Sequence, residues 1–309
     1  MRKLSLKEQI SIIEKCKKSG TPLAVCLASR GHSYDSLIYE CDPTPPDNSK
    51  LDFVPVDCRP SIAEGIPCVS FFSGAGGLDI GFECAGFKTL VDVEINPMFC
   101  DTLRANGHKN IIGPPFNLGD VNDPDAVISA LEAFGISQNF SGVFHGGPPC
   151  QSFSIAANQR FSKPLGKCFP SGCVFTSSLD GVPNHVTREH NVKSIERYMR
   201  LGFGKRDKLG RVDRLDPFRP SKTIIAGGTG GGGRSHLHPY IPRTMSVREC
   251  ARLQTFPDKH FFTGPVARQF TQVGNAVPPV LAYEIACAIY KTIYQGQKSA
   301  KIKPVVPVS

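Results

Sequence analysis

The feature that most constrains this chain is a glycine- and proline-rich loop that follows a short apolar segment. Residues 141–144 read Ser-Gly-Val-Phe, and residues 146–154 read Gly-Gly-Pro-Pro-Cys-Gln-Ser-Phe-Ser. An apolar run that enters a Gly/Pro cluster predicts a buried strand ending in a tight loop. Cys150 is therefore expected at the carboxyl end of a strand, where open α/β sheets carry their binding and catalytic sites.

The two prolines before Cys150 restrict the shape of this loop. Pro148 and Pro149 fix two successive φ angles and remove two backbone donors, so the thiol is presented from a rigid segment. The chain has 12 cysteines, and a cysteine without such a context is more often a small buried hydrophobe. The prolines favour Cys150 as a nucleophile.

A glycine-rich turn follows an earlier strand pattern. Residues 68–72 read Cys-Val-Ser-Phe-Phe, and residues 73–78 read Ser-Gly-Ala-Gly-Gly-Leu. A strand, a turn and a helix in this order let the backbone approach a ligand and aim a helix N-terminus at it. The next strand pattern ends at Glu94, about 20 residues later, where an acid accepts from ribose hydroxyls. This predicts an adenosine site, and the Gly74-x-Gly76-Gly77 spacing disfavours a nicotinamide dinucleotide.

A third strand pattern ends near Asp120, which could accept a hydrogen bond from the exocyclic amine of adenine. Strand and helix patterns alternate over residues 67–154. This alternation predicts an α/β fold with a doubly wound, mostly parallel sheet.

The charge of the chain favours a polyanionic partner. The formal net charge is +9 and the pI is near 9.0, although a basic pI fits RNA-binding proteins and some ordinary enzymes equally well. Residues 155–222 contain 14 Lys/Arg and 6 Asp/Glu. We expect this stretch to face a nucleic acid, or otherwise to be a solvated basic loop region.

Cysteine spacing and the chain start favour a cytoplasmic protein. The cysteines form no CxxC pair, and the first residues lack the apolar core of a signal peptide. The apolar run from Val280 to Tyr290 contains Glu284 and is too short to cross a bilayer. We therefore expect reduced thiols and no membrane role.

The N-terminal part predicts two short helices. Residues 4–19 place Leu6, Ile10, Ile13 and Cys16 on one face, and Ser5 and Glu8 have capping-box spacing. A second helix is expected up to Ser29. The pair is either a helix-turn-helix or two helices packed on the main domain or on a partner, and the sequence leaves both open.

Residues 147–154, Gly-Pro-Pro-Cys-Gln-Ser-Phe-Ser, resemble the central motif of the DNA cytosine-5 methyltransferases. Further blocks follow the order of that family: the turn at 73–83, a recognition-like block from Asn184, residues 246–257 and residues 272–279. The resemblance covers most of residues 67–295.

The resemblance implies transfer of a methyl group from S-adenosyl-L-methionine to C5 of cytosine in duplex DNA, within a restriction-modification system. It implies the sheet of S-adenosylmethionine-dependent methyltransferases, no metal, and Cys150 as the nucleophile. The implied cofactor contacts are Phe72, Ser73, Gly74, Gly76, Gly77, Leu78, Glu94, Ile95, Asp120, Pro148, Asn275 and Ala276. The implied DNA contacts are Gln151, Ser152, Arg214, Thr223, Gly228 and Arg243.

Six segments are predicted. They are an N-terminal helical extension at 1–40, a proline-rich linker at 41–66, a cofactor-binding and catalytic part at 67–154, a DNA-recognition-like region at 155–245, C-terminal helices completing the catalytic domain at 246–295, and a tail at 296–309.

Two blocks of the family pattern are missing, a Glu-Asn-Val block and a later Gln-x-Arg-x-Arg block. No Glu-Asn dipeptide occurs in the chain, although a Glu-Asn-Val block is expected after the cysteine loop, where its glutamate holds N3 of the target base. On the order of a hundred residues, or two to three strand-helix units, are missing between Ser154 and Asn184. We therefore expect a sheet whose far half is truncated, with the cysteine strand at its edge.

Three alternatives to an active DNA methyltransferase stay open at this point. The chain is an incomplete, catalytically silent DNA-binding relative, or one part of a split methyltransferase whose second polypeptide supplies the missing units. An enzyme that uses the same cofactor on small molecules would lack the basic stretch.

Overall fold

The computed structural model describes residues 2–41, 54–115, 119–148, 179, 181–224 and 236–295. The chain divides into two compact units. The four-stranded unit comprises Val54–Ser154, Thr255–Pro257 and Ala276–Ser309, and the three-stranded unit comprises Met1–Phe53, Ile155–Gln254 and Asp258–Asn275.

Parallel strands form the sheet of the four-stranded unit. They are β1 (Ile66–Phe71), β2 (Phe87–Val93), β3 (Ile111–Ile112) and β4 (Val143–Gly146), in the order β3-β2-β1-β4. In register, Cys68 of β1 lies opposite Thr89 of β2 and Val143 of β4. The predicted α/β fold with a mostly parallel sheet is confirmed. Because the strands are parallel, the segments that follow β1, β2 and β4 all leave the sheet at the carboxyl ends of the strands.

Four helices accompany this sheet. They are α3 (Gly77–Cys84), α4 (Pro97–Ala105), α5 (Pro124–Ala133) and α9 (Pro279–Ile289). Val127 and Leu131 of α5 pack in an apolar core with Val69, Val91 and Ile112 of the strands. Burial of such side chains contributes about 1.5–3 kcal/mol each.

Helix α3 packs against α9 at very short range. A Cβ at Gly81 would collide with the side chain of Ala282 and the backbone at Pro279 and Tyr283. Any larger residue at position 81 would therefore separate the two helices and move the start of α3.

Within the described residues, β4 is one of the two edge strands of the sheet. Its Phe144 is 54% exposed, although the ring contacts Phe71 and Phe140. This is the edge that the sequence predicts for a sheet that stops at the cysteine strand.

The three-stranded unit contains β5 (Arg206–Asp207), β6 (Val212–Arg214) and β7 (His236–Leu237). Strands β5 and β6 are antiparallel, and β6 and β7 are parallel. Its helices are α1 (Leu6–Ser19), α2 (Leu23–Ala28), α6 (Val192–Met199), α7 (Val247–Leu253) and α8 (Val266–Asn275).

The two N-terminal helices belong to the core of the three-stranded unit. Leu4, Ile13 and Leu27 share one buried cluster with Ile195 of α6 and Val212 of β6. The helices therefore pack on residues of the region from 192 to 237 in the same unit.

The predicted buried face of α1 needs correction. The helix and its Ser5/Glu8 capping box are present, but Ile10 is 45% exposed and Gln9 is buried. Gln9 donates its amide to the carbonyl of Ile38 at 3.3 Å and accepts from the amide of Ile38 at 2.6 Å. The face is rotated because a polar side chain satisfies backbone groups in the core.

Helix α2 does not favour the helix-turn-helix interpretation. Its six residues read Leu-Ala-Val-Cys-Leu-Ala. Base edges are read by side chains that donate or accept hydrogen bonds, and this helix carries no strong donor or acceptor.

The segment Val266–Ile293 is long and apolar enough, by length and composition, to cross a membrane. It contains α8, Pro278, α9 and the four residues that follow α9. Helix α9 packs against α3. Core helices share this composition, so it is weak evidence for a span.

Candidate cofactor and catalytic site

The turn after β1 has the backbone geometry of a ligand-binding loop. Phe72, Gly74 and Gly76 have φ angles of 53°, 57° and 79°, and Gly76 precedes α3 directly. The Ser73 hydroxyl donates to the carbonyl of Ser70 at 3.2 Å, and the amide of Gly76 donates to the carbonyl of Ser73 at 2.9 Å. A left-handed φ at a non-glycine residue such as Phe72 is strained, which marks the turn as a functional candidate.

Glu94 links the end of β2 to this turn. Its carboxylate accepts from the amide of Gly74 at 2.7 Å and from the amide of Asn96 at 2.8 Å, and the residue is 7% exposed. Burial raises the pKa of Glu94, and the backbone amides that it binds oppose that rise. Glu94 therefore fixes the turn and holds an acceptor group beside it.

The end of β3 lies close to the backbone of Glu94. A Cβ at Gly113 or Gly119 would collide with the Glu94 carbonyl. Asp120, next to Gly119, is partly buried and accepts from the backbone and side-chain amides of Asn122 at 2.9 and 2.8 Å. Ile95, the next residue after Glu94, is 54% exposed.

The segment after α8 lies against the start of α3. A Cβ added at Gly77 would lie 3.2 Å from the Cβ of Ala276. A Cβ added at Gly147 would lie 3.5 Å from the side chain of Val277. Exposed Pro148 follows Gly147. The structure thus brings the turn, Ala276 and the start of the cysteine loop together at one edge of the sheet.

The family model for the C-5 cytosine-specific DNA methylase matches residues 66–193 and 182–291. This chain belongs to the C-5 cytosine-specific DNA methylase family.

Type II methyltransferases are among the relatives. M1.HphI of Haemophilus parahaemolyticus is 26% identical over 335 residues, which covers 72% of this chain and 86% of that protein. M.AquIA of Picosynechococcus is 44% identical over 137 residues, covering 44% of this chain and 51% of that protein. M.AquIB of the same organism is 45% identical over 127 residues, covering 35% of this chain and 87% of that protein.

The alignment with M1.HphI is longer than the aligned part of this family member. Only 72% of 309 residues take part in 335 aligned positions. About a third of those positions therefore have no counterpart in this chain.

Several predicted site residues of this DNA methylase family member remain predictions. Cys150, Gln151, Ser152 and Gly228 lie outside the described residues. Asn275 ends α8 in the three-stranded unit. Thr223 is exposed, and its carbonyl lies 3.2 Å from Nε2 of His236. Leu78 is partly buried in the first turn of α3.

The predicted DNA contacts of Arg214 and Arg243 need correction, because both residues are buried, at 1% exposure. Arg214 lies over the rings of Tyr39 and Phe203, at 3.5 and 4.0 Å, and donates to the carbonyl of Pro239 at 2.7 Å. Arg243 donates to Glu249 at 2.7 and 2.8 Å. Both arginines hold the three-stranded unit together and do not face a DNA phosphate.

A cluster of four polar side chains near the turn was not predicted from the sequence. Asp79, Asp92, His108 and His145 are all buried or partly buried in the four-stranded unit. One signal was available, because Asp92 interrupts an apolar strand pattern two residues before Glu94, and residues two apart share a strand face.

The buried histidines of the three-stranded unit predict acid lability. Burial lowers the pKa of His238 to about 3 and that of His190 to about 4. A depressed pKa contributes stability that is present above the unfolded value of about 6.5 and is lost as pH falls. The amides of Tyr240 and Ile241 donate to Nδ1 of His238 at 3.0 and 3.2 Å, so protonation there breaks two hydrogen bonds.

We expect the free energy of unfolding to fall by up to about 1.4 kcal/mol per pH unit for each of these histidines between pH 6.5 and 4. Urea titrations over that range measure the slope. His238→Asn, whose side-chain oxygen accepts from the same amides, should lessen it. A slope that is the same in both proteins would contradict the assignment.

Proposed function

We propose that this family member transfers a methyl group from S-adenosyl-L-methionine to C5 of cytosine in duplex DNA. The observation that carries the proposal is the Glu94 carboxylate bound to the Gly74 amide at 2.7 Å, at the sheet edge from which the cysteine loop departs. Family membership supports the reaction, and the basic stretch at 155–222 supports DNA as the partner. A cytoplasmic site of action and a role in a restriction-modification system follow from the same proposal.

The described residues fit the proposed cofactor. Glycines at the strand ends leave space for close backbone approach, and Glu94 provides a buried acceptor for ribose hydroxyls. Ile95 offers an exposed apolar surface for adenine, and Asp120 retains acceptor capacity for its amine. The remaining holding residues of this unit are Phe72, Ser73, Gly74, Gly76, Gly77, Leu78, Pro148 and Ala276.

Cys150 has the central chemical task in this proposal. Cytosine C5 is not nucleophilic in the aromatic ring, so a thiolate must first add to C6 of a base rotated out of the duplex. When bound, S-adenosyl-L-methionine supplies an electrophilic methyl group. Loss of the C5 proton to a base then allows the Cys150 sulfur to leave C6 as a thiolate, which restores the aromatic ring and the free cysteine.

Glu94→Ala is expected to weaken cofactor binding by about 1.5–3 kcal/mol, because a charged acceptor of ribose hydroxyls and the anchor of the turn are both lost. Isothermal titration calorimetry with S-adenosyl-L-methionine measures the change. Glu132→Ala, an exposed position on α5, is the matched control. Equal affinities in both variants would remove Glu94 from the site.

A second candidate function follows from the missing Glu-Asn-Val block. Protonation or hydrogen bonding at N3 lowers the barrier to thiolate addition, and general acid groups contribute about 10²–10⁴-fold. The unmatched third of the M1.HphI alignment agrees with an internal loss of sequence. The chain would then be a silent DNA-binding relative or one part of a split enzyme.

An assay with cofactor carrying a labelled methyl group separates these functions. Label in duplex DNA supports methyl transfer by the chain. DNA binding without label supports the silent relative, and label only after addition of a polypeptide that carries the glutamate block supports the split enzyme. Label in small molecules but not in DNA would contradict the choice of substrate.

A further inference from the structure

Two polar side chains from different elements face each other beneath the turn. Oδ1 of Asp79 on α3 lies 3.7 Å from Nε2 of His145 on β4. Asp79 is fully buried, and the side chain of His145 is 6% exposed. Neither side chain makes a hydrogen bond of normal length, and buried polar groups in native proteins are rarely left in that state.

Helix α3 also fixes the ring plane of His145. The imidazole stacks on Phe82 with ring centroids 4.2 Å apart and an interplanar angle of 26°. Phe82 lies three residues after Asp79, so the two side chains project from neighbouring positions of one helix face. One helix thus provides both the stacking ring and the polar partner.

Burial is the main reason that the facing pair is neutral. Burial first, and then the charge of Asp92, raise the pKa of Asp79 well above its usual range, and Ser70 opposes this in part. Burial lowers the pKa of His145 to about 4, and the charge of Asp92 opposes that change. A protonated carboxyl has one O–H donor, and a neutral imidazole has one acceptor nitrogen.

A second pair of polar side chains lies in the same unit. Nδ1 of His108 lies 2.8 Å from Oδ2 of Asp92. Burial would lower the pKa of His108, but the hydrogen bond and charge of Asp92 outweigh it and raise that pKa to about 9. The pKa of Glu83 is raised, chiefly by burial. Burial, with the charge of Asp92 added to it, therefore favours the protonated form of Asp79.

We propose that Asp79 and His145 form a positioning pair in which the Asp79 carboxyl donates its proton to Nε2 of His145. Helix α3 begins at the proposed cofactor turn, and β4 leads through Gly146 and Gly147 to the loop of Cys150. The pair joins these two elements and holds the end of β4, with Gly146 and Gly147, in place beside the cofactor turn. This inference rests on the proposed function.

Four variants test the pair in the full-length chain. Asp79→Asn keeps a neutral donor, and Asp79→Leu removes it. His145→Phe keeps the stacking ring on Phe82 but removes the acceptor nitrogen, and the double variant Asp79→Leu/His145→Phe removes both polar groups. Asp125→Asn and Asp125→Leu, at an exposed position on α5, are the matched controls.

The first readout is the rate of covalent trapping on DNA that contains 5-fluorocytosine, at saturating S-adenosyl-L-methionine. Asp79→Asn should trap within about twofold of wild type, and Asp79→Leu and His145→Phe should trap about 10- to 100-fold more slowly, as for a misplaced reacting group. The double variant should be no slower than either single variant, because residues in one interaction are not additive.

The second readout does not depend on activity. The ¹⁵N chemical shifts of His145 report its protonation and its hydrogen-bonded nitrogen. We expect a neutral ring with a hydrogen-bonded Nε2 in wild type and in Asp79→Asn, and a changed Nε2 shift in Asp79→Leu. If Asp79→Leu does not fold, the comparison of wild type with Asp79→Asn still decides which residue carries the proton.

Three results would overturn the pair. They are a trapping rate in folded Asp79→Leu equal to that of Asp125→Leu, additive effects in the double variant, or a positively charged His145 ring in wild type at neutral pH. Absence of trapping in every protein, with the expected ¹⁵N shifts, would contradict the proposed function and leave the pair supported.

Discussion

The Cys150→Ser variant is expected to form no covalent complex with duplex DNA that contains 5-fluorocytosine. A serine hydroxyl has a far higher pKa than a thiol and does not add to C6 as the thiolate does. In the wild-type chain with S-adenosyl-L-methionine, fluorine takes the place of the C5 proton, so a base has no proton to remove after methyl transfer. The adduct therefore persists and is seen as a shifted band on a denaturing gel. Long incubation allows for the slow addition that loss of an N3 partner entails.

Cys58→Ser is the control for this experiment. Cys58 is an exposed cysteine of the same unit, and its replacement should leave the amount of adduct unchanged. An adduct of equal yield in the Cys150→Ser protein would show that Cys150 is not the nucleophile.

Arg243→Ala is expected to destabilise the three-stranded unit by about 3–5 kcal/mol, the range for breaking a buried ion pair. Arg243 binds Glu249 through two hydrogen bonds and Asp35 at 2.8 Å. Burial would raise the pKa of Glu249, but the charge and hydrogen bonds of Arg243 outweigh it and lower that pKa to about 2. Without Arg243, a carboxylate at 1% exposure loses its cationic partner.

Arg206→Ala is the matched control, because Arg206 pairs with Asp213 in the same unit but its side chain is 48% exposed. Surface pairs contribute about 0–1 kcal/mol. Urea titration of both variants measures the free energy of unfolding. Equal losses would mean that the Arg243 network does not stabilise this unit as described.

The local structure of several elements could be predicted from sequence because each depends on neighbours in the chain. The capping box predicted at Ser5 is present. A strand lies before the glycine-rich turn, as the apolar strand pattern and the turn residues predicted. Glu94 follows the next strand directly, also as predicted. Parallel pairing then follows from alternating strands and helices.

Other features depend on contacts between distant residues and could not be predicted. A basic side chain in a basic stretch indicates a DNA contact, but Arg214 is enclosed by Tyr39 and Phe203. The burial of Gln9 in α1 depends on its two hydrogen bonds to the backbone of Ile38, which is distant in the chain. Likewise, the juxtaposition of Asp79 with His145 requires β4 to lie beside β1.

The most direct test of methyl transfer is nucleoside analysis of duplex DNA after incubation with S-adenosyl-L-methionine labelled in its methyl group. Two proteins are compared, the 309-residue chain and a chain in which the Glu-Asn-Val segment of a relative is inserted between Ser154 and Asn184. We predict label in 5-methylcytosine alone, at a rate about 10²–10⁴-fold higher with the inserted glutamate. Label in another nucleoside, or in none with either protein, would contradict the proposed function.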